Sequence, residues 1–150
     1  MKAASTSVGS SRTWLRATSG GGGALGGTIL AHDPAGVVGT VDVGTGAFTS
    51  IGPSGVALTD MDVTASGSGV GISVDGFYAI DLATGAATLV GAPGVSLNAL
   101  EVGADGTIYA AGPGSTSLYT VDPATGAATA LFDMGVASAG DIQFKNGILY

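Results

Sequence analysis

The sequence contains no cysteine, and only 10% of its residues are charged. The absence of cysteine excludes a disulfide framework and thiol chemistry. No apolar run approaches the roughly 18 residues that a membrane-spanning helix needs, so we predict no such helix. The single histidine, His32, follows a predicted strand, and we assign it to a connecting loop rather than to a Ser-His-Asp triad.

Basic residues are scarce, and none lies between Ala17 and Phe144. All eleven acidic residues lie between Asp33 and Asp141, so that region carries −11, against −7 for the whole chain. Phosphate contacts need Lys and Arg, so we expect no nucleic-acid partner and no binding to anionic membranes. The charge favours solubility, and it also suits surroundings in which salt or Ca²⁺ screens the repulsion.

Residues 1–25 are rich in Ser and Gly, and we predict that they form a disordered leader. The start is basic, but no apolar run of about seven residues follows it, so the leader does not match a secretory signal.

The sequence does contain a repeat. VGTVDVGTGAFTSI, GFYAIDLATGAATLV and LYTVDPATGAATAL each join two apolar runs through an Asp and a Thr-Gly pair. The turn glycines Gly46, Gly85 and Gly126 are 39 and 41 residues apart. A fixed period of about 40 residues predicts an array of supersecondary units.

Each period accommodates four strands, placed in the third copy near residues 99–103, 107–111, 118–122 and 127–132. The runs are β-branched or aromatic, and the loops between them contain the glycine that hairpin turns require. We read the Asp that opens each Thr-Gly loop, Asp42, Asp81 or Asp122, as a turn cap. Four antiparallel strands per period predict an all-β fold, a partial or open β-propeller with about 3.5 four-stranded blades.

The predicted divisions are an incomplete blade at 26–55, blades at 56–94 and 95–136, and the start of another at 137–150. We expect the innermost strand of the first blade near 18–25. Because propellers usually have four to eight blades, we expect either a fragment of a longer propeller or a homodimer that completes a ring.

Alternation along the innermost strands predicts a candidate site. Asp60 and Asp62 face away from Met61 and Val63, and Glu101 and Asp141 lie at related repeat positions. The four carboxylates would then converge on the central channel as a Ca²⁺ site, or would be solvated residues of a wet channel. Tyrosines recur at strand positions and are predicted to pack between blades, with exposed ones free to stack on carbohydrate: Tyr78, Tyr109 and Tyr119.

The phrases LYTVDPATGAATAL and ADGTIYA resemble blades of the bacterial β-propeller superfamily with NHL-like, YVTN-like and quinoprotein-like repeats. The resemblance covers about residues 26–150 and implies a fragment of a large extracellular or cell-surface protein. It is specific for fold and poor for function, because propellers host many unrelated activities. We expect a non-enzymatic binding or scaffolding module with a protein or glycan ligand and no cofactor other than Ca²⁺. The alternative is part of a lactonase-like or quinoprotein-like enzyme whose catalytic residues lie in further blades.

Overall fold

A computed structural model describes residues 27–150 of the chain and the backbone of 15–17. Within these residues the fold is all-β, with three four-stranded antiparallel sheets and one two-stranded sheet. Strand order in each sheet follows chain order, so the first strand of each four-stranded sheet lies at one edge and the last at the other. The predicted partial β-propeller is confirmed, and we call the sheets blades 1 to 4.

Blade 1 contains β1 (Leu15–Ala17), β2 (Thr28–His32), β3 (Val37–Asp42) and β4 (Phe48–Pro53). Blade 2 contains β5 (Asp60–Val63), β6 (Gly69–Ile72), β7 (Phe77–Ile80) and β8 (Ala87–Gly91). Blade 3 contains β9 (Ala99–Val102), β10 (Ile108–Ala111), β11 (Ser117–Val121) and β12 (Ala128–Asp133). Blade 4 contains β13 (Phe144–Lys145) and β14 (Ile148–Leu149).

The four strands predicted in the third repeat are confirmed to within one residue at each end. The first blade differs from its prediction, because it has four strands and its innermost strand is β1 at Leu15–Ala17, upstream of 18–25. β1 pairs antiparallel with β2 in a register that sets Leu15 opposite Ala31. The rest of the predicted disordered leader, 1–14 and 18–25, lies outside the described residues.

The turn caps predicted from the repeat are confirmed. The Asp122 carboxylate accepts the Ala124 N–H at 2.8 Å and the Thr125 hydroxyl at 2.9 Å. Asp81 bonds its loop in the same way, while Asp42 accepts both the N–H and the hydroxyl of Thr45 at one oxygen. These hydrogen bonds favour the ionised carboxylate and hold the pKa of Asp122 below its usual value.

Apolar side chains bury the faces between neighbouring blades. One cluster joins Ile72 and Phe77 of blade 2 to Leu100 of blade 3, while a second joins Val38 of blade 1 to Met61 of blade 2. A third cluster packs Ala99, Ala111 and Leu118 of blade 3 against Ile142, just before β13. Each sheet therefore buries its apolar surface against the next, and no blade supplies a core alone.

Glycine pairs bring the outer parts of adjacent blades into backbone contact. Gly91, at the end of β8, packs on Gly126 in the turn of blade 3, and Gly52 packs on Gly85 in the same way one blade earlier. The Ala128 N–H then donates to the Pro93 carbonyl at 3.1 Å, across the same boundary. A side chain at Gly91 would overlap the Thr125 carbonyl, so this contact requires glycine.

The described residues include no helix long and apolar enough to cross a membrane.

Candidate functional site

Two carboxylates bridge the innermost strands of blades 2 and 3. Asp60 Oδ2 accepts the Leu100 N–H at 2.6 Å, and Asp62 Oδ2 accepts the Val102 N–H at 2.7 Å. The other oxygens accept from within β5, from the N–H groups of Met61 and Val63. β9 is an edge strand, so the N–H groups on its outer side have no neighbouring strand to bond. The carboxylates of β5 satisfy them instead.

The same bridge recurs one blade later. Glu101 Oε1 accepts the N–H of Phe144 in β13 at 3.1 Å. Glu101 stands at the repeat position of Asp62, and Phe144 at that of Val102. Blades 2, 3 and 4 are thus connected in sequence by carboxylate-to-amide hydrogen bonds. We call Asp60, Asp62 and Glu101 the inter-blade carboxylates.

The structure places the four predicted site residues in two environments. The inter-blade carboxylates are only 2–4% exposed, so the alternative of solvated residues in a wet channel is wrong for them. Asp141 is exposed. Within 27–150, no three His, Cys, Asp or Glu side chains form a group that could hold a metal ion. A carboxylate that accepts amide N–H groups keeps further lone pairs, so these hydrogen bonds do not exclude a cation. Ca²⁺ binding by Asp60, Asp62, Glu101 and Asp141 therefore stays a prediction.

Burial changes the protonation of Asp60. Desolvation raises its pKa from 3.8 to about 7, against the opposing effect of the Leu100 and Met61 N–H groups. The negative charges of Asp141 and Glu101 raise the pKa further.

The raised pKa of Asp60 predicts a pH-dependent stability. Between its unfolded value of 3.8 and about 7, the folded chain holds a proton that the unfolded chain releases, so stability falls as pH rises through this window. We expect the free energy of unfolding of the wild type, relative to Asp60→Asn, to fall by roughly 2–4 kcal/mol from pH 4.5 to pH 8. Urea titrations of both proteins at several pH values measure the difference. Identical pH profiles would contradict the prediction.

His32 does not lie in a loop, and that prediction is wrong. It is the last residue of β2, is 3% exposed, and stands at the register position that Ile72 holds in blade 2. Neither ring nitrogen has a hydrogen-bond partner among the described residues. Desolvation lowers the pKa of His32, against the smaller opposing effect of Asp33, so the folded state favours the neutral ring.

We therefore expect His32→Ile to raise the free energy of unfolding by about 1–3 kcal/mol at pH 7, because it removes buried polar atoms and restores the residue type of blade 2. The gain should grow as pH falls below 6.5, where the unfolded His32 binds a proton. His32→Ala, which copies Ala111 of blade 3, separates loss of polarity from loss of volume. A lower stability for His32→Ile at both pH values would show that the imidazole has a favourable role.

The three tyrosines pack between blades, as predicted. Tyr119 is buried, and its hydroxyl donates to Ser115 Oγ at 2.8 Å. Tyr78 is half-buried and packs against the cluster between blades 1 and 2. Tyr109 is half-buried in the cluster between blades 3 and 4, where its ring meets that of Phe144.

A cleft lies where the β9–β10 hairpin meets the β13–β14 hairpin, with a volume of about 330 Å³. Its lining consists of Gly103, Ala104, Asp105, Tyr109, Phe144 and Gly147, and we call it the Tyr109–Phe144 cleft. A second cleft of about 270 Å³, between the β6–β7 and β8–β9 loops, has a carboxylate but no aromatic ring. Its lining consists of Val74, Asp75, Ala92, Gly94, Val95 and Ser96.

The sequence alone does not identify Asp105 or Phe144 as site residues. Asp105 stands in a turn, and Phe144 belongs to a repeat of which only two strands are present. One available signal was the repeat itself, since Tyr109 and Tyr150 share a repeat position. That signal does not show which two rings face each other.

Comparison with solved structures supports the fold at low sequence identity. An auxiliary nutrient binding protein from Bacteroides ovatus aligns with a TM-score of 0.58 and 17% identity, over 77% of this chain and 30% of that one. The computationally designed Ika8 protein aligns with a TM-score of 0.52 and 15% identity, over 81% of this chain and 38% of that one. The Cps50 (Swd1) β-propeller domain of Myceliophteria thermophila aligns with a TM-score of 0.49 and 19% identity, over 77% and 40%.

The chain therefore spans less than half the length of each of these three structures. No protein-family model and no curated protein matches the sequence. At these identities the likeness to the first two structures concerns the fold alone, which is the partial propeller described above.

Proposed function

We propose that this chain is a non-enzymatic binding or scaffolding module within a larger secreted or cell-surface β-propeller protein of the NHL-like, YVTN-like or quinoprotein-like kind. The observation that carries the proposal is the bonding of the inter-blade carboxylates. Asp60, Asp62 and Glu101 are buried and bonded to the next blade, so their first role is to hold blades together. The similarity to a structure named for nutrient binding is in keeping with a binding role.

The partners fit the charge of the repeat region. A repeat region with eleven acidic residues and no basic residue between Ala17 and Phe144 repels phosphate, so we propose protein or glycan ligands and neither nucleic acid nor anionic membranes. Binding of Ca²⁺ by the inner carboxylates and Asp141, and a homodimer that completes a ring, belong to the same proposal.

The experiment is a screen of the purified chain against glycans, proteins and Ca²⁺, combined with assays of lactone hydrolysis. The proposal expects binding without turnover. Turnover that disappears in Asp62→Ala or Glu101→Ala, in protein that is still folded, would instead favour the lactonase-like alternative. Calorimetry with Ca²⁺ on the wild type and Asp141→Asn tests the cation site, and sedimentation equilibrium tests the homodimer.

A further inference from the structure

The Tyr109–Phe144 cleft has the composition of a small-ligand site. Its volume of about 330 Å³ falls at the lower end of the range for ligand pockets. Two aromatic rings and one carboxylate line it, together with three small residues. We propose that this cleft binds an organic ammonium group. The inference rests on the proposed binding function and names a ligand class for it.

Asp105 supplies the negative charge. Its Oδ1 accepts the Thr107 N–H at 3.0 Å and its Oδ2 accepts the Thr107 hydroxyl at 3.0 Å. These two bonds hold the carboxylate in one orientation and keep its pKa below the usual value, so it is ionised at neutral pH. A carboxylate has about four acceptor positions, so two remain for a ligand after both bonds to Thr107 are made.

The aromatic rings supply two walls. The centroids of Tyr109 and Phe144 are 5.3 Å apart, and the ring planes meet at 72°. Rings in this edge-to-face arrangement form a corner, and both residues line the cleft. The face of an aromatic ring carries negative charge density and attracts a cation within about 6 Å of its centre. An ammonium group in this corner would be attracted by the rings and by Asp105 together.

Glycines keep the cleft open. A side chain at Gly103 would meet Asp105 Oδ1 at 2.8 Å and Tyr109 Cε2 at 3.1 Å, so it would displace the carboxylate or the ring. At Gly147, whose φ is +78°, no atom lies within 4 Å of the position a side chain would take. The backbone therefore leaves the space between the carboxylate and the rings unfilled.

Charge favours a cation over a neutral ligand of the same shape. The repeat region carries −11, and its potential attracts cations to any groove on the surface. The nearest base in sequence is Lys145, which is exposed and follows Phe144, so strand alternation directs it away from the Phe144 ring. The second cleft, at Val74 and Asp75, lies in the same negative electrostatic potential but has no aromatic ring.

The test uses calorimetry and NMR on the full chain with three probes at low ionic strength. Choline and Nα-acetyl-lysine methylamide carry quaternary and primary ammonium groups, and 3,3-dimethylbutan-1-ol is the neutral counterpart of choline. We expect at least one ammonium probe to bind, with a dissociation constant about tenfold or more below that of the alcohol and with weaker binding at high salt. The tighter of the two probes distinguishes a free quaternary ammonium from a lysine side chain as the source.

Two variants locate the binding. Asp105→Asn removes the charge, and we expect binding to weaken about five- to tenfold, while Phe144→Leu removes one wall and weakens it about threefold. Asp122→Asn is the matched control, because Asp122 is another turn carboxylate bonded to a backbone N–H and a Thr hydroxyl. It should change binding less than twofold. Circular dichroism confirms that each variant is folded.

Equal affinity for the alcohol, equal effects of Asp105→Asn and Asp122→Asn, or no binding at millimolar concentrations would each overturn the ammonium inference. None of these results decides the broader binding proposal, which is tested by the screen against glycans, proteins and Ca²⁺. A glycan or protein ligand found there would uphold the module while the cleft assignment fails.

Discussion

Asp62→Ala is expected to lower the free energy of unfolding by about 2–4 kcal/mol, the largest loss from any single carboxylate in the described chain. The side chain is 2% exposed and accepts two backbone N–H groups, from Val63 at 2.6 Å and from Val102 at 2.7 Å. Removing it leaves both donors buried without an acceptor. Relief of the carboxylate's desolvation offsets part of that cost. Urea denaturation followed by circular dichroism measures the difference.

Two further variants separate the inter-blade hydrogen bond from a general effect of charge. Asp62→Asn keeps one acceptor oxygen and should lose about half as much as Asp62→Ala. Asp75→Ala removes an exposed loop carboxylate of the same blade and should change stability by less than about 0.5 kcal/mol. Equal effects of Asp62→Ala and Asp75→Ala would show that the bridge to Val102 does not stabilise the fold.

Gly91→Ala is expected to cost about 2–4 kcal/mol for a different reason, which is steric. The added methyl group would overlap the Thr125 carbonyl at the boundary of blades 2 and 3. To relieve the overlap, the outer parts of the blades must separate, and the hydrogen bond from Ala128 to Pro93 lengthens.

Gly114→Ala is the matched control for Gly91→Ala. A side chain at Gly114 meets no atom within 4 Å, so this change should alter stability by less than about 0.5 kcal/mol. If Gly91→Ala were as mild as Gly114→Ala, the outer contact between blades would be loose, and apolar burial alone would hold the sheets together.

The strands of the repeats could be predicted because their signals are local. The turn Asp122-Pro123-Ala124-Thr125-Gly126 closes on itself through side-chain hydrogen bonds to residues two and three positions away. Gly126 adopts a φ of +74°, which the sequence indicates by the residue type alone. Turn position and apolar alternation then fix the register of the strands on each side.

β1 could not be predicted because its signals are not local. Leu15–Ala17 is three residues long and has no turn motif of the repeat beside it. Its strand conformation depends on pairing with β2, whose Ala31 and Ile29 lie opposite Leu15 and Ala17. A glycine-rich stretch separates the two strands in the sequence, and it gives no register.

The inter-blade carboxylates show the limit of alternation as a guide. The sequence correctly places the side chains of Asp60 and Asp62 on one face of β5 and that of Met61 on the other face, toward blade 1. It does not reveal that their partners are backbone amides 40 residues further along the chain. Burial of those bonds, not solvation, sets the pKa of Asp60. The buried His32 was missed for a related reason, since a lone histidine beside Asp33-Pro34 has the composition of a loop.

Amide hydrogen exchange at Leu100 and Val102 tests most directly whether carboxylates of one blade satisfy the innermost edge of the next. In the wild type both amides should be protected, although β9 is an edge strand. In Asp62→Ala, under native conditions, protection at Val102 should fall at least about tenfold more than at Leu100, which keeps its bond to Asp60. Rapid exchange of both amides in the wild type, or equal loss at both positions in the variant, would contradict the account.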